Sequence, residues 1–332
     1  MPKRPVAVVR PFQPEGCLTV SAPSPRFSSQ RSASNTFSAI PLDRATERRD
    51  QNDWLAEIHQ TAFEVLVSSE HLIAGNSNQA HLHILLCADL PNLHSERWYL
   101  GHFEGAHYFA RVVTQAEYPQ LQWLDLRAAA LKLSPLEAGL AAYARGLAFW
   151  HQRHQFCGVC GNATVAEHAG HRRRCVNPSC GAEHFPRTDP AIIVAVEFEG
   201  KILLGRQASW PPGRYSTLAG FVEPGESLED ALVREVYEEA GVHVIASDYF
   251  SSQPWPFPAS LMLGFTALAA DDQINVGPEL EYARYFSVAE FEAAIQEGSL
   301  RTPPQVSVSY RLIENWYQLR SGRNFAEFLA GR

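Results

Sequence analysis

The 332-residue chain lacks any apolar run of about eighteen residues, the length that a membrane-spanning helix needs. Met1 to Arg10 lead into polar sequence without the apolar core of a secretion signal. The 28 lysines and arginines are outnumbered by 36 aspartates and glutamates, and the formal net charge of -8 argues against a broad basic surface for duplex nucleic acid. These absences predict a cytoplasmic protein without a membrane partner.

Cysteine is also scarce, and four of the six cysteines lie in Cys157-Gly-Val-Cys160 and Cys175-Val-Asn-Pro-Ser-Cys180. Two short knuckles that each offer two thiolates are typical of a tetrahedral zinc site, whereas a disulfide framework would spread its cysteines along the chain. Four thiolates fill the coordination sphere of zinc. The spacing therefore predicts a structural zinc held by Cys157, Cys160, Cys175 and Cys180.

The other polar residues near these knuckles have simpler interpretations. Cys17 and Cys87 are interpreted as ordinary thiols, and three nearby histidines as surface residues rather than ligands: His168, His171 and His184. Arg172-Arg-Arg174 is interpreted as a solvated charge run, although it could steer phosphate-bearing ligands.

The length of the chain and its 45% hydrophobic content predict more than one domain. Residues 1–38 are predicted to be a disordered tail, because the stretch from Ser21 is rich in Ser, Pro and Arg. Residues 39–133 alternate apolar runs with Asn, Gly and Pro, which predicts a small β-rich domain with short strands from Trp54 to Val113.

The second half of the chain changes character. Ser134-Pro135-Leu136-Glu137 begins a predicted helix over residues 134–154, and residues 155–186 hold the cysteines. In residues 187–330, two apolar runs flank Glu199-Gly200 and a helical pattern extends from Ser227 to Ala240. This order of strands and helix predicts an α+β domain.

The most specific pattern is Gly220-Phe-Val-Glu-Pro-Gly-Glu226 followed by Arg234-Glu-Val-Tyr-Glu-Glu-Ala-Gly-Val242. It fits G-x5-E-x7-R-E-U-x-E-E-x-G-U, where U is aliphatic. Ser227 and Asp230 predict a capping box, and Gly241 a left-handed helix cap. The helix then places Glu235, Glu238 and Glu239 on one face, where they repel one another.

A divalent cation would remove this repulsion, and oxygen ligands next to a phosphate substrate favour magnesium or manganese. The alternative is an acidic face turned to solvent, against which the Gly-rich loop and the spacing argue. Metal-bound carboxylates suit pyrophosphate hydrolysis, since the cations neutralise the phosphates and activate water. Glu238 is the candidate to accept the proton of that water, and Arg234 is expected to orient Glu226 through a charge-assisted pair.

The Gly220 to Val242 segment resembles the signature of the Nudix family. Ser252-Gln-Pro-Trp-Pro-Phe-Pro-Ala-Ser260 resembles the marker of the NADH pyrophosphatase branch, and Pro41-Leu-Asp-Arg44, Trp150-His151 and Pro186-Arg-Thr-Asp-Pro190 extend the similarity. The resemblance implies a catalytic Nudix domain with an α/β/α sandwich and a mixed sheet, a zinc ribbon, and a β-rich degenerate Nudix-like N-terminal domain. It also implies a homodimer that hydrolyses NADH or NAD to a nicotinamide mononucleotide and AMP, and that removes NAD caps from RNA 5′ ends.

The resemblance assigns roles to individual residues. The catalytic metals would bind Glu235, Glu238 and Glu239, together with Glu279 and the Ala219 carbonyl, with Glu281 as the alternative to Glu279. Phe221 would stack on a base or nicotinamide ring. The substrate pocket would be lined by Gln253, Pro254, Trp255, Pro256, Phe257, Pro258, Ala259, Ser260 and Met262. Phe185 would reach the partner's site, and Ser309 and Arg127 match weaker substrate positions. The alternative interpretation of Trp255 and Phe257 is that they are ordinary core aromatics.

Two other functions fit parts of the sequence. One is a zinc-ribbon nucleic-acid-binding module on an inactive Nudix scaffold, against which the intact glutamate pattern argues. The other is an enzyme for different nucleoside diphosphate conjugates, against which the Pro254-Trp255 motif argues. The four residues between Cys175 and Cys180, where some relatives have two, are compatible with tetrahedral thiolate geometry.

Overall fold

The computed structural model describes residues 30–38, 40–76, 81–87, 90 and 96–331, so most of the predicted disordered tail and Cys17 lie outside the described residues. The chain divides into two compact units. The N-terminal unit ends at Arg187 and also contains Pro256–Ala259. The C-terminal unit contains Ser28–Ser38, Thr188–Trp255 and Ser260–Arg332.

The helices and strands are numbered in chain order. The helices are α1 (Gln30–Ala33), α2 (Asn52–His59), α3 (Leu126–Ala129), α4 (Pro135–Arg153), α5 (Leu228–Ala240), α6 (Val288–Gln296), α7 (Val308–Ser321) and α8 (Phe325–Ala330). The strands are β1 (Phe63–Ser68), β2 (Ile73–Asn76), β3 (His81–Leu82), β4 (Ile84–Leu86), β5 (Arg97–Phe103), β6 (Ala106–Val113), β7 (Gln122–Leu124), β8 (Thr164–Glu167), β9 (Arg172–Cys175), β10 (Glu183–His184), β11 (Asp189–Phe198), β12 (Lys201–Arg206), β13 (Leu218–Phe221), β14 (Val244–Trp255), β15 (Ser260–Ala269) and β16 (Tyr282–Phe286).

The N-terminal unit contains a seven-stranded mixed sheet in the order β3-β2-β1-β6-β5, with β4 paired to β1 and β7 to β2. β1 runs parallel to β6, and the other pairs are antiparallel. The predicted β-rich domain is confirmed. Trp54 differs from the prediction, because it lies in α2 and packs its buried ring against Tyr99 in the core.

Helix α4 covers this sheet and contacts β1 and β6. The predicted start is confirmed: the Ser134 hydroxyl accepts a hydrogen bond from the Glu137 N–H, and Pro135 occupies the first turn, where a missing N–H leaves no donor unused. Strands β8, β9 and β10 then form a separate antiparallel sheet that carries the second knuckle.

Two predictions near the knuckles are wrong. His171 is buried, and its Nε2 lies 2.7 Å from the Tyr99 carbonyl oxygen, so it is not a surface histidine. Arg173 is also buried and donates to Glu96 at 2.8 Å, so the arginine run is solvated only in part. In a strand, alternate side chains point to opposite faces, so the middle arginine of three turns inward.

His151 and His171 give the N-terminal unit a dependence on pH. Burial lowers the pKa of His151 to about 3 and that of His171 to about 4. The His151 Nδ1 lies 2.7 Å from the Arg173 guanidinium, which can only donate, so this nitrogen must stay unprotonated.

The free energy of unfolding should therefore decrease as pH falls below about 6.5, because the histidines bind protons in the unfolded state but stay neutral in the folded state. The two histidines contribute their full stabilisation above about pH 6.5, and this stabilisation decreases until the pH reaches the folded pKa values. At pH 5.5 we expect a loss of about 1.4 kcal/mol for each of the two histidines relative to pH 7.5. Urea unfolding of the zinc-saturated protein measures it, and a His151→Gln, His171→Gln variant that kept the full pH dependence would contradict it.

The C-terminal unit is an α/β/α sandwich, as the resemblance implies. Its six-stranded mixed sheet has the order β14-β15-β11-β12-β16, with β13 also paired to β11 and with β11 parallel to β15. Ile192 and Val194 face a core layer with α5, while Ile193 and Ala195 face a layer with α6, α7 and α8. β11 is thus buried on both faces, which explains its continuous apolar sequence.

Two further segments of the C-terminal unit are the turn between β11 and β12 and residues 30–38. Glu199 and Gly200 both have positive φ, as a two-residue hairpin requires. The prediction of disorder fails for residues 30–38: α1 forms, and Asn35 and Phe37 are buried in the C-terminal unit.

Candidate active site and metal centre

The local sequence places α5 directly after β13 and the Gly-rich loop. The Ser227 hydroxyl accepts from the Asp230 N–H, and the Asp230 carboxylate accepts from the Ser227 N–H at 3.0 Å, which confirms the capping box. Gly241 ends the helix with φ 66°, which confirms the left-handed cap. The apolar face of α5 packs on the sheet. Glu235 and Glu239 lie against β13, since the Glu235 carboxyl group lies beside Gly220 and the Glu239 carboxylate accepts a hydrogen bond from the Ala219 backbone.

The acidic residues of α5 lie in different environments. Glu239 is only 4% exposed, whereas the Glu238 side chain is 59% exposed. Burial, together with the charges of Glu235 and Glu279, raises the pKa of Glu239 to about 8, while a hydrogen bond from the Ala219 backbone opposes the shift. Burial likewise raises the pKa of Glu235, with contributions from Glu238 and Glu279. The structure thus brings Glu235, Glu239 and Glu279 close enough for their charges to affect one another.

These carboxylates offer a set of oxygen ligands that fits a hard divalent cation. The Glu239 Oε2 is buried and has no hydrogen-bond partner among the described residues. A buried anionic oxygen without a partner is costly unless a cation or proton accompanies it. In the part of the chain that the structure describes, the oxygens do not meet within 4.8 Å as the cysteine sulfurs do, so the carboxylates repel one another at longer range.

Arg234 organises the other end of this cluster. Its Nε lies 2.5 Å from one Glu226 oxygen and its Nη2 2.9 Å from the other, so the charge-assisted pair that the sequence predicts is bidentate in the structure. These bonds hold the pKa of Glu226 at about 2. Arg234 also contacts Glu235 and Glu238 and donates to the Phe221 carbonyl, so one guanidinium fixes the loop to the helix.

Gly220 allows the closest approach of β13 to α5. A Cβ at this position would lie 1.9 Å from the Glu235 carboxyl carbon. The glycine of the signature therefore leaves room for the Glu235 carboxyl group, which any other side chain at this position would displace.

The sequence analysis missed Gly277. Its N–H donates to the Glu239 carbonyl at 2.9 Å, and a Cβ here would lie 2.0 Å from the Glu238 carbonyl oxygen. The loop before Glu279 therefore packs directly on the C-terminal end of α5. The Gly-Pro pair before Glu279 was the available signal, since this pair marks a turn.

Glu279 and Glu281 differ in their partners. Glu281 forms an ion pair with Arg206, and its backbone N–H donates to the Arg206 carbonyl at 2.9 Å. Glu279 instead faces Glu235 and Glu239. This geometry favours Glu279 over Glu281 as the fourth carboxylate.

The predicted pocket residues fall in three environments. The Gln253 amide is buried and donates to the Val306 carbonyl, so it supports the backbone before α7. Trp255 packs edge-on against Phe37. At the tip of the β14–β15 hairpin, Phe257 lies in the N-terminal unit beneath the guanidinium groups of Arg127, at 4.5 Å, and Arg145, at 4.8 Å.

The other residues predicted to bind substrate, Phe221, Phe185, Ser309 and Met262, differ in exposure and contacts. Phe221 and Phe185 are exposed, at 58% and 61%, and each presents a free aromatic surface to its surroundings. Ser309 is buried, and its hydroxyl lies 2.9 Å from that of Ser216 and 2.8 Å from that of Thr217. Ser309 thus ties the start of α7 to the segment before β13. Met262 contacts the core layer of α6 and α7.

The four cysteines converge as the spacing predicts. Their sulfurs all lie within 4.8 Å of one another, with 3.9 Å between Cys157 and Cys180 and 3.4 Å between Cys160 and Cys175. Tetrahedral zinc with Zn–S bonds of about 2.3 Å separates its sulfurs by about 3.8 Å, so the geometry fits zinc. His184 lies 3.4 Å from the Cys157 sulfur as a neighbour of the cluster. Burial raises the pKa of Cys87 to about 12, in keeping with an ordinary thiol.

The helices in the described part of the chain include none that combines the length and apolar character needed to cross a membrane.

Comparisons with known proteins match this architecture. Three family models cover most of the chain: a NUDIX domain at residues 186–305, an NADH pyrophosphatase zinc ribbon domain at residues 152–185, and an NADH pyrophosphatase-like rudimentary NUDIX domain at residues 61–150. A solved NUDIX hydrolase from Nitrosomonas europaea is similar at 23% identity and a TM-score of 0.42, covering 51% of this chain and 94% of that one.

Two curated relatives are more similar in sequence. The NAD-capped RNA hydrolase NUDT12 of Homo sapiens is 34% identical over 86% of this chain and 74% of its own length. The NAD-capped RNA hydrolase NudC of Stutzerimonas stutzeri is 40% identical over 68% of this chain and 78% of its own length. With its carboxylate-bearing helix, its four-cysteine ribbon and its N-terminal β-rich domain, the chain belongs to the Nudix hydrolase family, in the group whose members carry an NADH pyrophosphatase zinc ribbon.

Proposed function

We propose that this protein hydrolyses the pyrophosphate of NADH and NAD to a nicotinamide mononucleotide and AMP, and that it removes NAD caps from RNA 5′ ends. One observation carries the proposal: the buried Glu239 oxygen without a partner, set among Glu235 and Glu279 behind the Gly220 strand. The names of the relatives, NAD-capped RNA hydrolases, support the same substrate class.

Magnesium or manganese would be held by Glu235, Glu238, Glu239, Glu279 and the Ala219 carbonyl. Such a cation supplies charge neutralisation at the two phosphates and a more acidic bound water. We propose zinc for the four cysteines, where a closed set of thiolates leaves no open position for substrate.

The side chains divide the remaining work. Glu238, the exposed member of the three glutamates at 235, 238 and 239, accepts the proton of the attacking water when it releases Arg234. Arg234 stays on Glu226 and keeps the loop and helix in register. Phe221 offers an open ring face on which a base or nicotinamide can stack.

The substrate-binding residues in this proposal are the segment from Gln253 to Ser260, Met262, Arg127 and Ser309. Arg127 lies over the Phe257 ring, and Ser309 fixes the start of α7. We also propose a homodimer in which the exposed Phe185 reaches the partner's site, which analytical ultracentrifugation tests. A cytoplasmic location stays a prediction.

The test is to incubate the purified protein with NADH, NAD or NAD-capped RNA and either metal, and to identify products by mass spectrometry. We expect AMP and nicotinamide mononucleotide from the free dinucleotides, and a 5′-monophosphate RNA from the capped one. Competition between capped RNA and NADH ranks the substrates. RNA binding without any cleavage would instead support the inactive, nucleic-acid-binding alternative, and rapid hydrolysis of ADP-ribose beside slow NADH turnover would support a different diphosphate substrate.

Gly220→Ala should lower kcat by about a hundredfold with little loss of unfolding stability. The added methyl collides with the Glu235 carboxyl group, the far end of a flexible side chain, which can move away from the collision. The fold therefore survives while a metal ligand is displaced by more than the ~1 Å that costs such a factor. Steady-state kinetics and thermal unfolding measure the two effects, and a variant with full activity would contradict the proposed role of Glu235.

A further inference from the structure

Residues 30–38 occupy the outer edge of the strand that leads into the proposed substrate pocket. They precede the first family match, which begins at residue 61, and they lie in the C-terminal unit. Among the described residues, β14 is the edge strand of its sheet, so its outward N–H and C=O groups have no neighbouring strand there. The segment supplies partners for these groups just before Gln253.

Four hydrogen bonds join the segment to β14. The Ser252 N–H donates to the Ser32 hydroxyl at 3.0 Å, and the Asn35 side-chain amide donates to the Ser252 carbonyl at 2.8 Å. The same amide donates to the Ser251 hydroxyl at 3.1 Å, and the Gln253 amide donates to the Thr36 carbonyl at 3.0 Å. Asn35 is only 4% exposed, so water does not compete for these bonds.

Apolar contacts hold the same segment in place. Phe37 is 2% exposed and meets the Trp255 ring at a centroid distance of 6.3 Å and an angle of 63°. Its φ of 72° is a left-handed conformation that a phenylalanine adopts only where its surroundings enforce it. The Arg31 guanidinium lies 4.7 Å from the centre of the Phe250 ring.

Gln253 connects this edge to the interior. Its Nε2 donates both to Thr36 and to the Val306 carbonyl, and its Oε1 accepts from the Val308 N–H at 2.8 Å. The side chain is thus held between the segment on one side and the start of α7 on the other. A shift of the segment would change the position of Gln253 and, two residues later, of Trp255.

We propose that Ser32, Asn35 and Phe37 form an N-terminal clasp that positions Gln253 and Trp255 for dinucleotide binding, with Asn35 as its central positioning residue. This inference rests on the proposed function, since it assumes that the strand after Ser252 lines the pocket. The clasp acts on substrate binding and leaves the carboxylates of α5 untouched.

Asn35→Asp gives the sharpest test, because it keeps the shape of the side chain while it replaces the only donor with an acceptor facing the Ser252 carbonyl. We expect KM for NADH to increase about tenfold, equivalent to about 1.4 kcal/mol of binding, with kcat within about twofold. Asn35→Ala should show a smaller increase in the same direction. Ser34→Ala is the matched control: Ser34 is exposed, and its hydroxyl donates to the Arg31 carbonyl.

Hydrogen exchange of peptides that span Phe250–Trp255 supplies the second readout. It should accelerate at Ser252 in both Asn35 variants and stay unchanged in Ser34→Ala, and thermal unfolding confirms that each variant is folded. Faster exchange with an unchanged KM in the Asn35 variants would show that the clasp supports the structure only, and would overturn its proposed role in positioning Gln253 and Trp255. An inactive wild-type protein would refute the proposed function itself, whereas an active wild type with kinetically normal Asn35 variants would refute the clasp alone.

Discussion

Glu239→Gln should lower kcat for NADH by at least about a thousandfold while the protein stays folded. Cation stabilisation of a phosphoryl transition state contributes several kcal/mol, and each 1.4 kcal/mol corresponds to a factor of ten in rate. Glutamine retains the shape and one oxygen but removes the charge that a cation needs. Glu239 is the most buried carboxylate of the cluster, so no water-exposed substitute can take its place.

The same substitution should stabilise the protein without magnesium or manganese. The folded pKa of Glu239, about 8, is above its ordinary value, so the folded state binds the proton more tightly than the unfolded state. Stability is therefore lost progressively as pH rises from about 4.5 to about 8, because the unfolded carboxyl group ionises while the folded one still holds its proton, and a neutral glutamine avoids that loss. Thermal unfolding at about pH 8 in buffer free of magnesium and manganese, with the zinc retained, measures the gain.

Glu229→Gln is the control for both effects. Glu229 lies in the first turn of the same helix and is exposed, so its neutralisation should leave kcat unchanged. A Glu239→Gln variant with more than about a tenth of the wild-type kcat would contradict the catalytic role of this residue.

Cys175→Ser should abolish zinc binding and unfold the ribbon of β8, β9 and β10. A three-stranded sheet this short has too little apolar surface for independent stability, whereas zinc contributes about 10–16 kcal/mol to folding in comparable thiolate sites. Cys175 is 4% exposed, and serine would leave both a missing ligand and a buried hydroxyl. We expect the bound zinc to fall from one ion per chain to a trace, by elemental analysis, and residues 155–186 to become sensitive to proteases.

Cys87→Ser serves as the matched control, since Cys87 is equally buried and lies outside the cluster. It should retain zinc and resist proteolysis in residues 155–186. Retention of zinc by Cys175→Ser with a protease-resistant ribbon would show that the zinc site does not depend on Cys175.

The sequence predicts best the features that local chemistry determines. The start and end of α5 follow from Ser227, Asp230 and Gly241, and the pairing of Glu226 with Arg234 follows from a fixed spacing on one loop and helix. The convergence of the four cysteines likewise follows from two short knuckles. In each case, the residues that decide the structure are at most 23 positions apart along the chain, so more distant segments have little to add.

Features that depend on distant contacts could not be predicted in this way. The polar composition of the first forty residues indicates disorder, yet Asn35 and Phe37 become buried because β14, more than two hundred positions later, exposes an edge that they cover. Arg173 and His171 are buried for a similar reason, since Glu96 and Tyr99 come from β5 and the residue before it. Composition describes a segment alone and carries no information about the partner that it meets.

The approach of Gly277 to α5 has a consequence for tolerance to mutation. A methyl group added at Gly277 would collide with the Glu238 carbonyl oxygen. This main-chain oxygen cannot rotate away, whereas the Glu235 carboxyl group beside Gly220 can. A saturation screen for soluble protein should therefore accept small replacements at 220 and reject every replacement at 277. Gly277, which lies outside the signature, would then tolerate fewer substitutions than Gly220, because its contact is with the main chain and no flexible side chain can move to relieve it.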